Sequence, residues 1–480
     1  MLRIYSDQNI ISKLCNEESE LLRDLQELVT KDVLVFYSQG HLNDLSSDVT
    51  DKKFNELEVI KSLANGNFLY IDYDDNNIQN DLIGPNEAFE KYGTIHRNIG
   101  EFIKNVFDES GDPLVDLYIR LKKLQPVDLG SDIEAALKKP ENDPARQMYE
   151  KLGITKRYYT MGEWIPIVGD LFNKFENDPK LLREIRRLSQ IHLGVDKFKI
   201  KIGSVDFDEK LSKSKLGKSF REMLDQQLLF LPEEQRTYYN EFITGFNMIN
   251  FLGIDYEKNK KVKFTNTNND ALHAFFASAT DMLISDDKGI LNKARFLYNI
   301  YGIETRLSSF EEFKNFVKQY RSHEYLDEML FISQLEFYGG TNIIVEDPLL
   351  VTYNSNKTEV RKLGNKYWKL FDRLTRVEVL SNSQEYYILH PSSSRRNNII
   401  FFKEINYIIQ SLNNMLRDNV SEINQTDKEN IKQGNWEGKL WSSSYTDYLV
   451  VPEKHTCRLL LAYPATQVIQ GWSLDLCLVL

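Results

Sequence analysis

Asn269 to Ala294, NDALHAFFASATDMLISDDKGILNKA, is the stretch that decides the fold. Leu272, Phe275, Phe276 and Ala279 recur at helical spacing, so its first part predicts an amphipathic helix. Asp270, behind Asn269, is placed at the start of that helix, where free N–H groups and the dipole favour a carboxylate. Met282 to Ser285 predict a short buried strand, followed by Asp286, Asp287 and a second helix from near Gly289. A helix of this length carries the chain roughly 15 Å away at ~1.5 Å per residue. The turn and strand bring it back at ~3.3 Å per residue. Asp270 and Asp287 are thereby expected at the same end of the fold.

Working outward, the same alternation appears at the N-terminus. Leu2–Ser6 reads as a strand ending at Asp7, and Asn9 opens a helical pattern that runs to Leu28. Val33–Tyr37 is an apolar run of the kind buried on both faces. Ser38 is a natural cap for a helix carrying His41, Leu42, Asp44 and Leu45, and His41 and Asp44 share a face of it. A helix over Lys52–Leu63 and a strand over Phe68–Ile71 follow. Strands alternating with helices imply a parallel sheet. From Asn77 to Asn268 the reading is almost wholly helical, with helices at Pro113–Leu124, Lys180–Leu193, Glu209–Leu229 and Glu233–Leu252. The alternation then resumes through Lys288–Tyr301, a strand at Ile303–Arg306 and a capping box of Ser308 with Glu311. Beyond Tyr325 a helix at Leu326–Phe337 and several short strands read as an α+β region. The expectation is an α/β fold, a parallel sheet flanked by helices and split by a large helical insertion, plus the C-terminal α+β region. Its parts are 1–76, the insertion 77–264, 265–322 and 323–480.

A chain of 480 residues suits two or three domains. The net charge of −11 coexists with 60 basic residues, so any nucleic-acid surface has to be local. Cys15, Cys457 and Cys477 are too scattered for a disulfide framework or a cysteine zinc site, which suits a reducing cytoplasm. No leader-like segment or apolar membrane span is read, so the expectation is a cytoplasmic protein with no membrane contact. There is no Walker loop, no G-x-S-x-G and no H-E-x-x-H. Asp7-x-Asn9 has asparagine where haloacid-dehalogenase-type phosphatases want a second aspartate.

Ligands of an open parallel sheet bind past the carboxyl ends of its strands. Asp7 ends the first strand and Asp44 lies on the helix leaving the second. Asp270 and Asp287 flank the strand after the insertion. One aspartate at such a place is commonly a cap or turn residue. Four at one rim would repel strongly without cations, and hard oxygen ligands suit Mg²⁺ or Mn²⁺.

The segments YSDQN, YSQGHLNDL and NDALHA…DMLISDDKG, in that order, resemble the PIN-domain nucleases over residues 1–75 and 265–320. The resemblance implies a metal-dependent endoribonuclease cutting single-stranded RNA. Under it, Asp7 matches the first acid and Asn9 the polar residue that follows. Asp44 stands where the second acid is usually glutamate, Asp270 matches the third and Asp287 the fourth. Ser285 takes the Thr/Ser slot, and Asp286 is an alternative to Asp287 in the turn.

His41 and His273 each lie one helical turn from a proposed acid and are supporting candidates, although a histidine on a helix face is more often a packed residue. Lys260, Lys261 and Lys263 before Asp270, with Lys288 and Lys293 after Asp287, are the candidate phosphate contacts. Arg183, Arg186, Arg187 and Arg395, Arg396 form weaker basic groups. The expected activity is that of a single-strand endoribonuclease. The multidomain build is compatible with a toxin or defence effector, with a protein partner or self-association. The alternative is a PIN-like scaffold that binds RNA or protein without cutting.

Overall fold

The computed structural model describes residues 2–29, 33–71, 78–93, 113–194, 197, 202, 206–214, 216–229, 233–252, 264–319, 328, 358–367, 371–379, 384–391, 398–433, 435–443, 446–453 and 456–463. Its centre is a six-stranded sheet of order β4-β3-β2-β1-β7-β8. The first four strands in the chain are β1 (Leu2–Ser6), β2 (Val33–Ser38), β3 (Asn67–Ile71) and β4 (Ile78–Leu82). The last two to join are β7 (Met282–Ile284) and β8 (Arg306–Ser308). All neighbours are parallel except β4, which runs antiparallel to β3. Ile4 is paired with Val35 on one side and Met282 on the other, so the N-terminal strand joins segments far apart in sequence.

Every residue of β1, β2 and β7 is buried, as expected of a parallel sheet covered on both faces. Alternation sorts their side chains into two cores. Tyr5, Leu34, Phe36 and Leu283 face one way, and Ile4, Val33, Val35, Tyr37, Met282 and Ile284 the other. The second face is covered by α1 (Gln8–Asn16), α2 (Ser19–Val29), α3 (Gln39–Ser47), α4 (Lys52–Ala64) and α5 (Pro85–Tyr92). The single helical pattern read up to Leu28 is therefore two helices.

The middle of the chain holds α6 (Pro113–Lys123), α7 (Ser131–Leu137), α8 (Pro144–Lys151), α9 (Met161–Asn177) and α10 (Pro179–Leu193). A small antiparallel pair, β5 (Pro126–Asp128) and β6 (Tyr158–Thr160), lies among them. Phe175, Leu182 and Ile185 make a core of their own here. The run read as one helix from Glu209 to Leu229 is α11 (Phe207–Lys213) and α12 (Phe220–Leu228). Next come α13 (Tyr238–Phe251), α14 (Phe264–Ala277), α15 (Lys288–Tyr301) and α16 (Phe310–Gln319). Phe220, Leu224, Phe242 and Phe246 pack in one core with Phe275, Leu283 and Leu297. β4 belongs to the sheet, and α12 and α13 pack on its first face. Phe310 and Phe313 of α16 join the second face.

The C-terminal region is a six-stranded antiparallel sheet of order β12-β13-β14-β11-β10-β9. Its strands are β9 (Thr358–Tyr367), β10 (Phe371–Val379), β11 (Gln384–Pro391), β12 (Lys439–Ser442), β13 (Asp447–Glu453) and β14 (Thr456–Tyr463). Helix α17 (Asn398–Leu416) lays Ile405, Ile408, Ile409 and Leu412 on Trp441, Tyr448, Val450 and Leu461, and α18 (Gln425–Gln433) follows it. The same helix grips the central sheet. The Arg3 guanidinium on β1 donates from Nε at 3.1 Å and Nη2 at 2.6 Å to Glu404 Oε1, with both side chains buried. Lys403 Nζ donates to Asn67 Oδ1 at 2.8 Å. The helix read at Leu326–Phe337 and strands read between 343 and 353 lie outside the described residues.

Two local readings are corrected. The helix carrying Asp270 begins at Phe264, so Asp270 is in its second turn and not at its start. The polar run Thr265–Asn269 has cap-like propensity, but Thr267 and Asn269 are buried, and packing against α13 overrides it. The strand read at Ile303–Arg306 is displaced to Arg306–Ser308. The capping box accordingly falls on Ser309 and Glu312, with Ser309 N donating to Glu312 Oε2 at 2.8 Å and Glu312 N to Ser309 Oγ at 3.4 Å.

A candidate acidic site at the carboxyl edge of the sheet

Asp7 follows β1 and caps α1, its Oδ1 accepting from Ile10 N at 3.1 Å. Asp287 follows β7 and caps α15, accepting from Gly289 N at 2.7 Å and Ile290 N at 3.3 Å. Ser285 ties the two together. Its hydroxyl donates to Asp7 Oδ2 in a very short hydrogen bond and accepts from the Asp287 N–H at 3.0 Å. A hydroxyl at this buried point serves as donor and acceptor at once, which a methyl group would not.

Asp270 is half-buried on α14. Burial, opposed by Lys293 and reinforced by the charges of Asp287 and Asp44, pushes its carboxyl up to about 7. Asp7 is buried outright and pushed up to about 6. Burial leads, the Ser285 hydrogen bond and the His273 charge oppose it, and Asp287 adds to it. The charge of Asp287 thus reaches both Asp7 and Asp270, and that of Asp44 reaches Asp270, so the carboxylates add to a shift that burial leads.

Asp44 is held on both oxygens. Asn269 Nδ2 donates to Oδ1 at 2.7 Å, and His273 Nε2 lies 3.0 Å from Oδ2. Asn269 is itself fixed by Asn43, whose Nδ2 donates to its Oδ1 at 3.3 Å. The other imidazole nitrogen of His273, Nδ1, lies 2.8 Å from the Tyr5 hydroxyl, which lies 2.6 Å from Ser38 Oγ. Burial works to lower the His273 pKa, but the hydrogen bond and charge of Asp44, then Asp7 and Asp270, outweigh it and the net direction is up.

His41 is the buried N3 partner of the Ser38 capping box. Its Nδ1 accepts from the Ser38 N–H at 3.1 Å, so Nε2 carries the proton and donates to Ser6 O at 2.8 Å. Burial, then the neighbouring His273, hold its pKa well below the ordinary value. His41 is thus a neutral structural residue tying α3 to β1.

The remaining candidates divide. Asp286 turns toward α1 and α16, pairing with Lys13 and accepting from Phe310 N at 3.0 Å, so the turn presents Asp287 to the other acids and not Asp286. Asn9 is exposed in the first turn of α1 and Lys288 is exposed at the start of α15. Lys293 was expected as a phosphate contact, but it is buried. Its Nζ stands 5.2 Å from the Phe246 ring centroid, and its charge acts on Asp270. Lys260, Lys261 and Lys263 lie outside the described residues, as do Arg395 and Arg396. Arg186, read as part of a basic group, is buried and reaches Thr267 Oγ1 at 3.4 Å.

Tyr5, Asn43 and the bracing role of Asn269 were not anticipated. The available signal was Tyr5 itself, since a tyrosine inside a strand covered on both faces needs a partner for its hydroxyl. Chemically, this donor set fits a hard divalent cation, all carboxylate oxygen with two acids that resist ionising alone. Among the described residues, however, no three His, Cys, Asp or Glu side chains are drawn together closely enough to hold an ion as they stand. Among the described residues there is also no helix long and apolar enough to cross a membrane. No protein-family profile matches this sequence, and comparisons with curated proteins and with solved structures found no match either.

Proposed function

We propose that the chain is a Mg²⁺- or Mn²⁺-dependent phosphodiester hydrolase, an endoribonuclease acting on single-stranded RNA. The observation that carries this reading is the gathering of Asp7, Asp44, Asp270 and Asp287 at one sheet edge, where burial above all, with neighbouring carboxylates adding to it, leaves Asp7 at about 6 and Asp270 at about 7. Asp7, Asp44, Asp270 and Asp287 would hold the ion. A divalent ion there supplies Lewis-acid polarisation of the phosphodiester and a lowered pKa for the attacking water. Ser285 holds the Asp7 carboxylate and the backbone of Asp287, and Lys293 tempers the charge on Asp270.

The test is cleavage of an end-labelled single-stranded RNA with Mn²⁺, comparing the wild type with Asp270→Asn. Loss of cleavage by about 100-fold or more is expected, the scale on which removing a site's electrostatic partner acts. Undiminished cleavage by a folded Asp270→Asn protein removes Asp270 from the chemistry and the proposal with it.

A second reading is a scaffold that binds RNA or a protein without cutting. It is favoured by the absence, among the described residues, of three ligating side chains already gathered. A wild-type protein that retards single strands in a gel but never shortens them, with Mg²⁺ or Mn²⁺ present, would select it.

A further inference from the structure

Beneath the acids runs a hydrogen-bonded chain whose direction is dictated by groups that can only donate or only accept. Ser38 Oγ accepts from Gly40 N at 3.1 Å, leaving its own proton for the Tyr5 oxygen. With the lone pair of His41 Nδ1 committed to the Ser38 N–H, the Tyr5 hydroxyl is 3.4 Å from that nitrogen and only 2.8 Å from His273 Nδ1. In the neutral ring Tyr5 therefore donates to Nδ1 and Nε2–H points at Asp44 Oδ2. If the ring is protonated, the Tyr5–Ser38 link reverses, but Nε2–H still points at Asp44. The aim at Asp44 survives either state. The ring is also closely packed: a methyl group at Gly40 would stand 3.1 to 3.3 Å from three of its atoms and press on it by a few tenths of an ångström.

We propose that His273 and Tyr5 are positioning residues for Asp44. Together with Asn269 they lock both oxygens of that carboxylate, so that it presents a fixed charge to Asp270 and to a divalent cation bound at the rim. This inference rests on the proposed cation-dependent activity. Its geometry also joins α3 to α14 across the long helical middle of the chain. His273 is almost fully buried, so it works through Asp44 and does not touch a substrate.

The test is a Mn²⁺ titration of the full-length chain, reading free Mn²⁺ by electron paramagnetic resonance, with circular dichroism to confirm folding. Partners that orient metal-ligating groups are worth about 10- to 100-fold in affinity, and that loss is expected for His273→Phe. Tyr5→Phe keeps the ring and deletes only the hydroxyl, and about threefold to tenfold is expected from it. His273→Gln restores an amide N–H near Oδ2 and is expected within about threefold of the wild type. If His273→Phe does not fold, the other two variants decide. Wild-type affinity in both Tyr5→Phe and His273→Phe overturns the positioning role while leaving the cation site intact. His273→Gln binding as weakly as His273→Phe assigns the loss to packing and overturns it too. A wild type that binds no Mn²⁺ overturns the cation reading, and this inference falls with it.

Discussion

Neutralising Asp270 should stabilise the metal-free protein, the opposite of what a substitution on a buried helix usually does. Its carboxyl is pushed up to about 7 from an ordinary 3.8. That gap corresponds to about 4 kcal/mol at about 1.36 kcal/mol per tenfold change in proton affinity, and halving it for solvent reach at a half-buried position leaves about 2 kcal/mol. The sign follows from linkage. A carboxyl raised in the folded state contributes stability that is complete below its unfolded value of 3.8 and lost as pH rises through about 7. At pH 8, with a chelator present, Asp270→Asn should therefore melt about 4 to 8 °C above the wild type, taking about 2 to 4 °C per kcal/mol. The advantage should shrink steadily between pH 7 and 4. Added Mn²⁺ should invert the order, since a ligand at 100 times its dissociation constant stabilises the wild type by about 2.7 kcal/mol and leaves the variant behind. Differential scanning fluorimetry across pH, with and without Mn²⁺, reads all of this. Equal or lower melting of Asp270→Asn at pH 8, flat with pH, would refute the claim that the rim is a cluster of frustrated acids.

Asp287 separates capping from charge. Asp287→Ala loses the cap over Gly289 and Ile290 and should cost about 1 kcal/mol in a denaturant melt, while Asp287→Asn keeps the cap and loses only Mn²⁺ affinity. Asp286→Asn should leave cleavage unchanged. Its carboxyl is held below 3.8, burial being outweighed by Lys13 and the Phe310 N–H, so its contribution exists above that pH and fades below it. At this exposed site that is under about 1 kcal/mol by thermal melt. Arg3→Met should cost about 3 to 5 kcal/mol by stranding the buried Glu404 without its guanidinium, and α17 should become an early site of trypsin cleavage; an unchanged digestion pattern would deny that α17 is latched to β1. Ser285→Ala should cost about 1 to 3 kcal/mol, seen in urea unfolding, because Asp7 and the Asp287 N–H lose one shared partner.

What the sequence disclosed was whatever local pattern controls. β1 was legible by its alternation ending in Asp7, and β2 and β7 because apolar runs ending at Ser38 and Ser285 have little choice of structure. Asp7 and Asp287 were legible as acids in the turns that leave buried strands. Asp270 was found as a residue but misplaced in its helix, because Asn266, Asn268 and Asn269 read as a cap and become helical only under α13. β8 was read too early. Gly302 turns left-handed at φ 64° and Ile303 N bonds back to Tyr298 O, so the four residues 302–305 separate the helix from the strand. Lys293 looked like an outward cation because lysine usually is one, and only tertiary packing shows it turned inward to Asp270. In the C-terminal sheet β10, β11, β13 and β14 were located and β9 and β12 were not, and the strand order depends on long-range register that no short window of sequence carries.

The position of β1 sets a schedule for biosynthesis. It lies between β2 and β7, yet β7 is translated some 275 residues later, after all the helices of the middle segment. At about 5 to 20 residues per second, β1 waits roughly 14 to 55 seconds with one flank unpaired. A bare parallel edge is a template for any other strand that drifts past. The acid rim inherits that delay: the serine that holds Asp7 in register is made 278 residues after it.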